Sequence, residues 1–124
     1  MSIAALNYIS DIMKSIGIPY QFGEWTDEVP DRYYVGEYQE IPSTTKEEDG
    51  GQETSFILNG WTRKSCMILE QDKETIEHSL PKSRINPDGS CVAIFYDSAF
   101  PVPTGDGELK RIQINLTIKE WKVI

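Results

Sequence analysis

Residue types that usually carry chemistry are scarce in this chain. Among 124 residues there is one histidine, His78, and there are two cysteines, Cys66 and Cys91. Zinc centres take three or four ligands, and here the cysteines lie far from the histidine in sequence. No C-x-x-C pair occurs, and one potential bridge is a weak framework for a domain of this size. Both cysteines therefore read as reduced, mostly buried thiols of an intracellular protein. Glu74 precedes His78 by four residues, a spacing that puts both on one face of a helix. Two ligands do not make a metal site, and a pair of surface helix residues is the plainer reading. The phosphate loops G-x-x-x-x-G-K-[ST] and G-x-G-x-x-G are missing, as is the nucleophile turn G-x-S-x-G. Gly50-Gly51 and Gly105-Asp106-Gly107 fall in connections between strands, not ahead of helices, so they are not phosphate cradles. No catalytic centre, metal or cofactor is expected, and the chain reads as a non-enzyme.

Positive charge and long apolar runs are also in short supply. Twelve Lys and Arg face twenty Asp and Glu, for a net charge of −8. That balance argues against wrapping a nucleic-acid backbone or lying on an anionic membrane surface. It does not argue against a passage through which DNA slides without sticking. No apolar stretch approaches the roughly 20 residues of a membrane span. The start, MSIAALNYISDIM, has no basic residue, and Asn7 and Asp11 interrupt its apolar positions, so no secretory leader is expected. In that setting the triplet Asn115-Leu116-Thr117 is a chance match to a glycosylation acceptor.

What the chain does have is a strong alternating pattern near its end. In Leu109 to Trp121, Ile112, Ile114, Leu116 and Ile118 take the even positions, and Arg111, Gln113, Asn115, Thr117 and Lys119 the odd ones. A period of two over this length predicts a long strand with one buried and one wet face. A size of 124 residues suits one domain with a single core. Residues 2–16 predict a first helix capped by Ser2, with Ile3, Leu6, Ile9 and Met13 on its apolar side and Gly17 at its end. Pro19 to Asp31 reads as a loop or irregular extended piece. Arg32 to Ile41 predicts a strand, with Tyr34, Gly36 and Tyr38 on one face and Tyr33, Val35, Glu37 and Ile41 on the other. Gly36 marks a bulge or a close backbone approach. Pro42 to Glu53 is polar and acidic, and it reads either as a plain flexible loop or as a segment ordered by a partner. Thr54 to Trp61 closes the hairpin. A second helix follows from about Cys66 to Leu80, capped by Ser65, with Leu69, Lys73, Ile76 and Leu80 in line. Asn86-Pro87-Asp88-Gly89 is a turn, and Cys91 to Tyr96 a short interior strand.

The expected architecture is a single α+β domain in the order helix, strand, strand, helix, strand, strand. Its sheet is mainly antiparallel, with both helices packed on one face. Trp25, Trp61 and Trp121, with Tyr20, Tyr33, Tyr34 and Tyr38, are many aromatics for this length. They read as core, or in part as the edge of a subunit interface, where Tyr and Trp are enriched.

Taken in order, the short first helix, IGIPYQFG, the strand DRYYVGEY, the acidic loop, SFILNGW, a helix, CVAIFY, PTGDGELKRIQINL and a closing EW resemble one family. These are the tail terminator, or tail-to-head joining and tail completion, proteins of long-tailed bacteriophages and prophages. The resemblance is one of order and size and spans nearly the whole chain. It implies a subunit that assembles into a hexameric ring, caps the tail tube protein and meets the head completion or connector protein, with DNA passing through the channel unbound. It implies a place in the virion at the tail–head junction, after assembly in the host cytoplasm. Candidate partner-binding residues are Tyr38, Glu47, Glu48 and Asp49, because an exposed acidic loop and its flanking strand should face a partner. A cytosolic adaptor or regulator acting through the same acidic loop is the alternative reading. A small enzyme built around His78 is a third.

Overall fold

The alternation near the C-terminus forms the centre of the fold. A computed structural model describes residues 1–40 and 51–121. Strand β6, Lys110–Trp121, buries Ile112, Ile114, Leu116 and Ile118 and leaves its odd positions half-covered. Its neighbours are β3, Gly51–Thr62, and β5, Cys91–Val102. Outside them lie β2, Arg32–Glu40, and β4, Lys82–Ile85, and β1, Tyr20–Phe22, closes the far side. The six strands run in the order β1-β2-β3-β6-β5-β4, and every pair is antiparallel except β1 with β2.

Among the described residues two helices complete the α+β fold. Helix α1, Ile3–Ser15, starts at Ser2, whose hydroxyl accepts from the Ala5 amide, and ends before Gly17 at φ 75°. Helix α2, Cys66–Ser79, is capped by Ser65 in the same manner, through the Met67 amide. The core joins Ala5, Ile9, Ile12 and Met13 of α1 and Leu69 and Ile76 of α2 to Tyr34, Phe56, Leu58, Ile94 and the even positions of β6. Register explains why these side chains meet: Phe56 lies opposite Leu116, Leu58 opposite Ile114, and Ile94 opposite Ile118. Asp72 of α2, almost fully buried, accepts from Arg32 Nε at 2.7 Å and ties the helix to β2.

Gly36 and Gly60 make this packing possible. A Cβ on Gly36 would stand 2.6 Å from both the Phe56 ring and the Tyr20 hydroxyl, and one on Gly60 would stand 2.3 Å from the Tyr34 ring. Neither reading of Gly36 holds: the atoms that crowd it belong to side chains, not to another backbone, and no bulge forms there. Burial raises the hydroxyl pKa of Tyr20, and burial, reinforced by the Asp72 carboxylate, raises that of Tyr34.

Several expectations need correction. Among the described residues the order is helix, three strands, helix, three strands; β1 and β4 were not foreseen. Three residues bounded by Pro19 and Gly23 give too short a pattern to register as a strand. The last strand but one runs on past Tyr96 to Val102, through a bulge between Tyr96 and Ser98 and across Pro101. Proline is tolerated there because β4 ends opposite Ile94 and leaves that stretch of β5 on the sheet's edge. Ile3 is exposed, and Ala5 and Ile12 take its place in the buried stripe. Gly51 to Glu53, expected in the acidic loop, belong to β3.

Candidate functional site: an uncovered sheet face and its bare edges

The odd positions of β6 continue across the sheet as one surface that no helix buries. Register sets Tyr33, Trp61 and Arg111 side by side on β2, β3 and β6. Trp25, from the connection after β1, adds a fourth member. Ring centroids are 5.3 Å apart for Trp25 and Tyr33 and 5.4 Å for Tyr33 and Trp61, and the Arg111 guanidinium carbon lies 5.4 Å from the Trp61 ring centre. Aromatic pairs of this kind contribute about 0.5–1.5 kcal/mol each beyond their burial. Arg111 Nη2 donates to Asn59 Oδ1 at 2.7 Å, and Asn59 Nδ2 donates to Glu37 Oε1 at 3.3 Å. The line continues through Gln113 Nε2 to Asn115 Oδ1 at 3.0 Å, and Asn115 Nδ2 to Ser98 Oγ at 3.1 Å.

This surface is a rigid, half-buried mixture of rings, amides and one guanidinium. Aromatic and Arg side chains that are already held in place lose little freedom on contact with a protein surface. A cleft of about 470 Å³ opens beside Tyr33 and Thr62, and Lys64–Asp31 and Arg63–Asp106 ion pairs stand on its rim at 3.1 and 3.5 Å. The Glu108 amide, more than Arg63, holds the Asp106 carboxyl below its ordinary pKa.

Of the residues singled out from the sequence, Tyr38 sits near the end of β2, partly exposed, with its ring stacked on Phe22 at 5.9 Å. Phe22 lies in turn 6.4 Å from the buried Phe56 ring. Tyr38 thus belongs to an aromatic patch at the β1–β2 margin. Glu47, Glu48 and Asp49, and the 42–50 part of the acidic loop, lie outside the described residues. His78 and Glu74 are exposed on α2, and among the described residues no three His, Cys, Asp or Glu are placed to share a metal.

Both cysteines are free, but their burial was misjudged. Cys66 is exposed and Cys91 half-buried. Cys66 is the first residue of α2, ahead of the apolar stripe, and Cys91 opens β5 on the uncovered face. The aromatics also divide differently from a simple core. Tyr34 is fully buried, whereas Trp25, Tyr33 and Trp61 line the uncovered face. Glu37, Asn59 and Arg111 were not singled out. Their signal was the wet half of the β6 alternation, followed across β3 to β2.

Besides the stretch of β5 beyond Ile94, two edges of the sheet are bare among the described residues. Strand β1 covers β2 only from Tyr34 to Gly36, and Gly23, at φ 86°, then turns the chain away. Glu37 to Glu40 are all exposed. On the other side β4 is itself the outermost strand, and all of it but Arg84 is exposed.

Compared with known proteins, the chain matches no family model and no curated sequence. Among the described residues no helix is long and apolar enough to cross a membrane.

Proposed function

We propose that this chain is a structural subunit of a long-tailed phage or prophage particle. In this reading it forms a ring, hexameric in number, that ends the tail tube and joins tail to head. The observation that carries the reading is the division of labour in the sheet. Two helices pack on the even positions, while the Trp25–Tyr33–Trp61–Arg111 row and the bare edges are left for contacts with other chains. A ring subunit needs two different complementary patches, because head-to-tail contacts are heterologous. A net charge of −8 suits a wall past which DNA moves without being held. The partners on this reading are further copies of the chain, the tail tube protein and the head completion or connector protein.

Deleting the gene and imaging the particles by negative-stain electron microscopy tests it. Overlong or headless tails beside full heads are the expected result. Normal infectious particles would sink the assembly reading and bring forward an adaptor acting through the acidic loop.

A further inference from the structure

The bare edges lie at opposite ends of one sheet, and they differ in charge. We infer that strand β4 of one copy adds to the free Glu37–Glu40 stretch of β2 in the next, so that the sheet continues from subunit to subunit. This rests on the self-assembly part of the reading above and names the surfaces that make the contact.

Direction comes first. From β2 to β3, β6, β5 and β4 there are four antiparallel steps, so β4 runs the same way as β2. A second copy displaced sideways along the sheet brings its β2 beside β4 without reversal, as a parallel pair. Strand β2 already accepts a parallel neighbour in β1.

Hydrogen-bonding groups come next. The Tyr34 amide donates outward to the Pro19 carbonyl, and the Gly36 carbonyl accepts from the Gly23 amide, both at 2.9 Å. Backbone groups alternate sides along a strand, so the N–H and C=O of Tyr38 and Glu40 also point outward. On β4, the Asn86 amide donates to the Ser90 carbonyl at 2.8 Å, which sets the even residues toward β5 and turns Ser83 and Ile85 outward. Each edge therefore offers two residues at the same spacing.

Charge selects the occupant. Lys82 and Arg84 make β4 a basic strand with no acid in it, on a chain of net charge −8. The free part of β2 carries Glu37 and Glu40 and no base. Arg84 is held by Asp11 at 3.0 Å, so among the described residues Lys82 is the cation left to face a neighbour, while Glu40 meets the N-terminal amine through Oε1 and keeps Oε2 for a second partner. The other exposed edge, β5 beyond Ile94, carries a bulge and Pro101, features that discourage pairing. Neither guard occurs in residues 37–40.

Sedimentation velocity over a concentration series, with circular dichroism melting to check folding, tests the inference. The wild-type chain should self-associate. Lys82→Glu sets like charges against each other and should weaken association about tenfold or more. The double variant Lys82→Glu with Glu40→Lys should recover most of it. Tyr38→Pro removes an outward N–H that the subunit's own ladder does not use, and it should abolish association while leaving a cooperative melt. Association unchanged by all of these variants would overturn the edge assignment and leave the self-assembly reading standing. A wild-type chain that stays monomeric at every concentration would overturn both.

Discussion

The two faces of strand β6 are made from alternate residues of the same twelve and do opposite things. Ile112, Ile114, Leu116 and Ile118 are sealed under the helices, where burial stabilises the fold. Arg111, Gln113, Asn115 and Lys119 face away, spanned by amide hydrogen bonds and flanked by aromatic rings. One face is organised around volume, the other around groups that can be met by another surface. A substitution should therefore reveal its face by which measurement it moves.

The largest effect on stability belongs to the covered face. Ile114→Ala should lower unfolding free energy by about 2–5 kcal/mol in denaturant titrations. Its neighbour Gln113→Ala should stay within about 0.5 kcal/mol. Equal losses at the two positions would erase the distinction between the faces. Asp72→Ala leaves Arg32 unpaired at the helix–sheet seam. Because the Arg32 side chain is 29% exposed, the loss should be about 1–3 kcal/mol, less than a fully buried pair would show. Gly60→Ala drives a methyl into the Tyr34 ring and should cost about 1–3 kcal/mol. Gly107→Ala, whose Cβ would meet nothing within 4 Å, should leave the melting temperature unchanged.

A smaller, pH-dependent effect separates buried from exposed tyrosines. Burial raises the pKa of Tyr20 and Tyr34 above the ordinary value near 10.0. A folded-state pKa above the unfolded one contributes stability that is complete below about 10 and is lost as pH climbs toward the raised value. Melting temperature should fall above about pH 10. Tyr20→Phe should shrink that fall, while at neutral pH it should cost at most about 0.5 kcal/mol, since the buried Tyr20 hydroxyl has no hydrogen-bond partner among the described residues. An identical alkaline limb in this variant would exclude Tyr20 as a source.

How much of this was legible depended on whether a local pattern carried the information. The β6 alternation, both helix caps and the assignment of Tyr34 and Tyr33 to opposite faces of β2 were readable, because period and capping chemistry are local. Strands β1 and β4 were not, since a few edge residues gain their conformation from a neighbour across the sheet. Strand order and the parallel β1–β2 pair are likewise long-range. The uncovered face was half visible: its β6 members were known as polar positions, but Trp25, Tyr33, Trp61 and Arg111 converge only once register is fixed. Tyr38 was singled out through its neighbourhood to an acidic loop. What distinguishes it in the fold is different: an outward-facing backbone and a ring stacked on Phe22.

Amide hydrogen exchange, resolved by residue at dilute and at associating concentrations, tests the division between core and contact edge most directly. The Tyr38 and Glu40 amides should exchange freely when dilute and gain protection on association, while those of β6 stay slow throughout. Protection at Tyr38 and Glu40 that does not change with concentration, in a chain that does associate, would contradict the account.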